Sequence, residues 1–292
     1  MLPDWYYKYK IFIDKSIEKF LINLLKQEKN SWLKNFKEAI FYSVKWGKRI
    51  RSILALEFYL IFSWKNFNEL KENENIIKFF IAIELLHAYS LIHDDLPSMD
   101  NDEYRRWELT VWKNFWEANA ILVWDFLNSL SFELLAEIWD IELIKYFWKS
   151  VWINWMIWWQ VLDLYFEKNL EKLNLEKLIE IHNKKTWALI EFSIVGAIIL
   201  TWKKIDLKKY KNFAQKIWLL FQIKDDLLDV EWNFEETWKS VWWEKKWFVY
   251  FLWLEKTKKF LEKIFFEIKE IQTEINSEKI NFLINYIKNR KK

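Results

Sequence analysis

A chain of 292 residues with a formal net charge of +3, from 45 basic and 42 acidic residues, has no charge excess that points to a nucleic-acid or membrane-surface partner. It has no cysteine, which excludes a disulfide framework, thiolate catalysis and thiolate metal ligation. Two prolines and two glycines argue against a turn-rich β architecture, and with 52 % of residues apolar a large buried core is available.

The N-terminal stretch MLPDWYYKYKIFIDKSIEKF carries charges inside its apolar pattern, so neither a signal peptide nor a membrane anchor is expected there. Apolar residues recur at three- and four-residue spacing from FIDKSIEKFLINLLKQ through to LEKIFFEIKEIQTEINSEKINFLINYIKN, which predicts an all-α chain. Helix breaks are expected near Trp46–Gly47, over 66–75, from Pro97 to Trp107, near Asp140, and over 167–177, 201–209 and 231–247. No linker, repeat or low-complexity tract divides the sequence, so residues 1–292 are read as one helical-bundle domain. The most apolar stretch, WALIEFSIVGAIILTW, is interrupted by Glu191 and is too short for a membrane span. A cytoplasmic protein is expected.

The chemistry-bearing residues follow in order. WGKRIRS supplies Lys48, Arg49 and Arg51. IIKFFIAIELLHAYSLIHDD reads as one long helix ending at Asp94 and Asp95, and Pro97 loosens the backbone so that Asp100 can turn back toward them. His87 lies seven residues before Asp94, about two turns away on the same face. It is either a phosphate donor or a satisfied core histidine. Arg105 and Arg106 come next, and Lys184 and Lys185 precede Thr186. YKNFAQKIWLLFQIKDDLLDV reads as a second long helix, with Asp225 and Asp229 on one face and Lys239 beyond. Oxygen-only clusters suit Mg²⁺, which binds through one or two carboxylates plus substrate phosphates. Either cluster alone reads as a solvated acidic helix end. Two of them, with Arg and Lys placed to clamp phosphate oxygens, point to a metal-bridged diphosphate.

These residues resemble the short-chain trans-prenyltransferases, the bacterial isoprenyl diphosphate synthases of farnesyl and geranylgeranyl type. DDLPSMD is similar to the family's first aspartate-rich motif and FQIKDDLLD to its second, and the likeness runs from WGKRIR to WLEKTKKF. The resemblance implies an all-α fold around a deep apolar cavity, as a homodimer. It also implies that Lys48, Arg51, His87 and Arg106 hold isopentenyl diphosphate. Asp94, Asp100 and Asp225 bind about three Mg²⁺ ions, with Asp95 and Asp229 supporting. Arg105, Lys185, Thr186, Gln222, Lys239 and Lys245 face the allylic diphosphate, and Asp226 belongs with the catalytic aspartates of the second motif. The prenyl tail grows down the cavity from the first motif, so Tyr89 and Ser90, one turn upstream, form its floor. An aromatic ring there favours the fifteen-carbon farnesyl product over the twenty-carbon one. A terpene cyclase would not need the WGKRIR site, and a non-catalytic partner subunit would have lost aspartates that are intact here.

Tryptophan and glycine counts are inverted relative to ordinary proteins, with 23 Trp and 2 Gly. Trp46, Trp107, Trp116, Trp124, Trp155, Trp158, Trp159, Trp187, Trp218, Trp238 and Trp253 stand where the family pattern has glycine, and Trp112 where it has histidine. A dozen overpacked sites at about 1–3 kcal/mol each would exceed the roughly 5–15 kcal/mol that holds a domain together. The reading that removes the conflict is a gene whose UGA codons mean glycine, written out with UGA as tryptophan.

Overall fold

The computed structural model describes residues 2–105, 107–151, 161–162, 165–166, 169–182, 187–237 and 247–290. They form two compact units, Met1–Ile144 with Ile199–Trp202, and Lys145–Ile198 with Lys203–Lys292. As expected, the described elements are helical, apart from one small hairpin.

The first unit contains α1 (Asp4–Leu25), α2 (Lys34–Val44), α3 (Ile50–Ser63), the short α4 (Phe67–Leu70), α5 (Glu74–Asp95), α6 (Val111–Phe115) and α7 (Glu117–Glu137). Between α5 and α6 two-residue strands β1 (Tyr104–Arg105) and β2 (Glu108–Leu109) pair antiparallel. α5 is its central helix. Phe79, Phe80, Ile81, Ile83, Leu85 and Leu86 are all buried, so the helix is apolar around its circumference and packs on α1, α3 and α7. Among the described residues it is the one helix long and apolar enough to cross a membrane, and 61 % of that window is buried inside the protein. Each such side chain contributes about 1.5–3 kcal/mol on burial. The expected break at 66–75 holds a capped turn: Asn66 accepts from the Glu69 amide, and the Glu69 carboxylate accepts from the Asn66 amide.

The unit boundary falls inside α8 (Ile141–Val151). The second unit continues with α9 (Leu175–His182), α10 (Trp187–Ile199), α11 (Lys208–Thr237), α12 (Trp247–Ile275) and α13 (Glu278–Asn289), with α11 packed along α12. Two boundaries correct the sequence reading. α11 continues to Thr237 rather than breaking at 231, and the apolar repeat at the C-terminus is two helices. Asn276 takes a left-handed φ of 50°, and Ser277 then caps α13 by accepting from the Ile280 amide.

Candidate active site

The C-terminal end of α5 carries the first acidic cluster. Leu96 leaves the helix at φ −57°, ψ 150°, the extended geometry that a following proline enforces. The chain then reverses: the Met99 and Asn101 amides donate to the Leu96 carbonyl at 2.9 and 3.1 Å, and the Asp100 amide donates to the Asp94 carbonyl at 2.9 Å. The turn-back expected from Pro97 is therefore present, and Asp94 and Asp100 are joined through their backbones. Asp94 is half-buried, with His93 Nδ1 3.5 Å from its Oδ1.

Asp95 faces differently. Its side chain is buried, and Arg105 donates Nε to Oδ1 at 2.8 Å. Arg105 is delivered by the β1–β2 hairpin, and its guanidinium also lies 3.7 Å from Asp102. Burial pushes the Asp95 carboxyl up to about 6, against the pull of the Arg105 charge. Asp95 and Arg105 line a small cavity of about 70 Å³ that also meets Tyr42 and Trp46.

The basic stretch before α3 divides by role. Arg51 Nη1 lies 3.2 Å from His87 Nε2, so two of the expected diphosphate ligands are neighbours, and Lys48 is exposed with its carbonyl accepting from the Tyr6 hydroxyl at 2.5 Å. Arg49 corrects the expectation that all three basic residues meet anions. It takes a left-handed φ of 56° and turns inward, buried, onto Asp14 of α1 (2.7 Å), Glu84 of α5 (3.0 Å) and the Val44 carbonyl (2.5 Å). Glu84 also accepts from Ser52 at 2.6 Å, so the buried charges are paired and hydrogen-bonded.

On α11, Gln222 and Asp225 lie on one stretch of helix with Asp226 and Asp229. Asp225 is ion-paired with Arg290, whose guanidinium sits 3.7 Å over the Phe221 ring and donates to the Phe221 carbonyl at 3.0 Å. Asp226, expected among the catalytic aspartates, is buried and accepts from the Phe248 amide at 2.8 Å, capping the first turn of α12. Sequence reasoning missed Arg290 and the capping role of Asp226. Adjacent residues diverge by about 100° around a helix, so the DD pair was always going to divide. Arg106, Lys184, Lys185, Thr186, Lys239, Lys245 and the Asp229 side chain lie outside the described residues, as do Trp155, Trp158, Trp159 and Trp238. Among the described residues no three acidic or histidine side chains converge on one point.

The two positions expected to form the floor differ. Tyr89 stacks on Trp124 of α7, with centroids 5.7 Å apart and planes at 17°, and Trp124 also lies 4.9 Å from the His93 ring. Burial raises the Tyr89 phenol above its ordinary value. Ser90 instead donates to the His87 carbonyl at 2.9 Å.

A family profile described as Polyprenyl synthetase matches residues 33–278, drawing on both units. The chain belongs to this family. Polyprenyl synthetases similar to it include a farnesyl diphosphate synthase of Micrococcus luteus, 39 % identical over 87 % of this chain and 89 % of that protein. Geranylgeranyl pyrophosphate synthase 4 of Arabidopsis thaliana is 35 % identical over 88 % and 71 %. The structure of a Helicobacter pylori geranyltransferase complexed with magnesium and isoprenyl diphosphate superposes with a TM-score of 0.76 at 29 % identity, covering 98 % of this chain and 99 % of that one. The polyprenyl synthetase is a trans-prenyltransferase with the all-α isoprenoid synthase fold.

Proposed function

We propose that this trans-prenyltransferase condenses isopentenyl diphosphate with dimethylallyl or geranyl diphosphate to form farnesyl diphosphate, with Mg²⁺ as cofactor. The observation that carries the reading is the end of α5, where a backbone bond ties Asp94 to Asp100 while the same helix supplies His87 against Arg51. The donor set fits the ion: carboxylate oxygens at a helix C-terminus, the end of the dipole that favours cations. Asp94, Asp100 and Asp225 would hold about three Mg²⁺ ions, with Asp95 and Asp229 in support. When bound, the ions supply Lewis-acid neutralisation of the leaving diphosphate.

The remaining steps fall to the chain itself. Lys48, Arg51, His87 and Arg106 hold isopentenyl diphosphate. Arg105, oriented by Asp95, joins Lys185, Thr186, Gln222, Lys239 and Lys245 around the allylic diphosphate. Donors fixed in advance stabilise the charge that develops as the allylic carbon–oxygen bond breaks. The alkene of isopentenyl diphosphate attacks the freed carbon, and the proton lost from the adjacent carbon passes to the released diphosphate. Apolar walls keep water from the cation.

The enzyme is read as one polyprenyl synthase domain over 1–292, working in the cytoplasm as a homodimer. Exposed Ile121, Leu122 and Phe132 on α7 support a second copy as partner. A geranylgeranyl product is the second reading, favoured by the small Ser90 beside Tyr89. The test is product analysis with isopentenyl diphosphate and each allylic donor. Asp94→Ala and Asp225→Ala should each lower turnover at least about a hundredfold with the helical circular-dichroism signal unchanged. Near-normal turnover in both variants would sink the assignment.

A further inference from the structure

The backbone singles out residues whose conformation their side chains do not explain. Among the described residues nine have positive φ: Arg49, Trp64, Asn101, Trp107, Trp116, Trp139, Trp202, Trp253 and Asn276. Six are tryptophan, although only 23 of 292 residues are. Asparagine tolerates this region, and Arg49 is pinned there by Asp14 and Glu84. For tryptophan the region is strained, because its Cβ crowds the following carbonyl.

The six sites are glycine sites in kind. Trp64 ends α3 at φ 60°, ψ 20°, its amide donating to the Leu60 carbonyl at 3.1 Å, the left-handed cap that closes a helix. Trp139 and Trp202 turn the chain just after α7 and α10, donating to the carbonyls of Ala136 and Ile199. Trp107 lies in the two-residue turn between Arg105 and Glu108, where a tight hairpin needs positive φ. Trp116 (φ 72°, ψ 153°) separates α6 from α7 and Trp253 (φ 64°, ψ 156°) kinks α12. Those last two angle pairs are occupied essentially by glycine alone.

Burial of the indole offers no compensation. Exposure of the six side chains runs from 64 % at Trp253 to 91 % at Trp139. Each position uses the freedom of a residue without Cβ and leaves its large apolar ring largely in water. The two glycines that are written, Gly47 and Gly196, are not among the positive-φ residues.

We infer that positions 64, 107, 116, 139, 202 and 253 are glycine in the natural protein, encoded by UGA in a source that decodes this codon as glycine. Three of them, Trp107, Trp116 and Trp253, also break the family's glycine pattern in the sequence. Trp64, Trp139 and Trp202 are identified by geometry alone. The inference rests on backbone angles and stands whether or not the proposed reaction is correct.

Tandem mass spectrometry of the protein isolated from its source cells decides the matter. Peptides covering residues 64, 139 and 202 should read glycine, each lighter by the Trp-to-Gly difference. Tryptophan at these three positions overturns the inference. A second measurement is made on recombinant protein: the sixfold variant Trp64→Gly, Trp107→Gly, Trp116→Gly, Trp139→Gly, Trp202→Gly, Trp253→Gly should unfold at a higher urea concentration than the chain as written. A lower midpoint for the sixfold variant would contradict the backbone argument.

Discussion

Glu191 is buried on α10, where Tyr146 donates its hydroxyl to Oε1. Burial raises its carboxyl from 4.5 to about 7, opposed by the charge of Lys211. A carboxyl with a raised folded-state value binds its proton more tightly when folded, so stability is highest below the unfolded value and falls as pH rises from 4.5 to about 7. The full loss is at most about 3 kcal/mol. Glu191→Gln keeps the acceptor for Tyr146 and removes the titration. Its urea midpoint should therefore decline less across this window than that of the parent, the remaining decline coming from groups such as Asp95; parallel curves would exclude Glu191 as a titrating group. At this scale the sequence was a partial guide. It revealed Asp94 and Asp100, because Pro97 between them dictates the turn. It could not separate Arg49 from Lys48 and Arg51, since what turns Arg49 inward is Asp14, 35 residues earlier, and Glu84, 35 residues later.

Between elements, the contact of α5 with α7 places Tyr89 against the ring at position 124. If Tyr89 is the floor of the chain-length pocket, the neighbour on α7 forms its second wall, and a glycine there would leave Tyr89 as the sole aromatic stop. Tyr89→Ala in a chain carrying Trp124→Gly should shift the products from farnesyl toward geranylgeranyl diphosphate or longer, since each further five-carbon unit gains apolar contact. Chromatography of the extracted prenols reads the outcome, and an unchanged length removes Tyr89 from that role. Helix bodies were legible from their apolar spacing, as α5 and α11 show. Helix ends were less so. The pattern runs on across Asn276 because the helices on both sides are amphipathic, and only the Ser277 cap marks the break.

For the molecule as a whole, the exposed Ile121, Leu122 and Phe132 of α7 predict self-association. Leu122→Asp combined with Phe132→Asp puts charges on that face without touching the core residues Val123, Leu127 and Leu134, which are buried. Sedimentation should show a parent dimer and a monomeric double variant, whereas a monomeric parent would end the homodimer reading. The all-α architecture was available from periodicity, because apolar residues recur at three- and four-residue spacing in nearly every segment. What the periodicity could not supply was the arrangement of chain-distant partners, such as Arg290 on Asp225 or Asp226 on the Phe248 amide.

The inward turn of Arg49 reaches beyond the charges it pairs. Its Nε is held by Asp14, and the neighbouring Lys48 carbonyl by Tyr6, so the loop that would grip isopentenyl diphosphate is braced from α1. The family match begins only at residue 33, after that helix has ended. α1 is thus a splint lying outside the profile match. Asp14→Ala strands Arg49 and Glu84 as a buried pair missing one anion, and breaking such a network costs about 3–5 kcal/mol. The Asp14→Ala enzyme should show a raised KM for isopentenyl diphosphate with a smaller change for the allylic substrate, because the braced loop is the one proposed to hold the first of these; equal changes in both would mean that Asp14 supports the fold in general and not this grip.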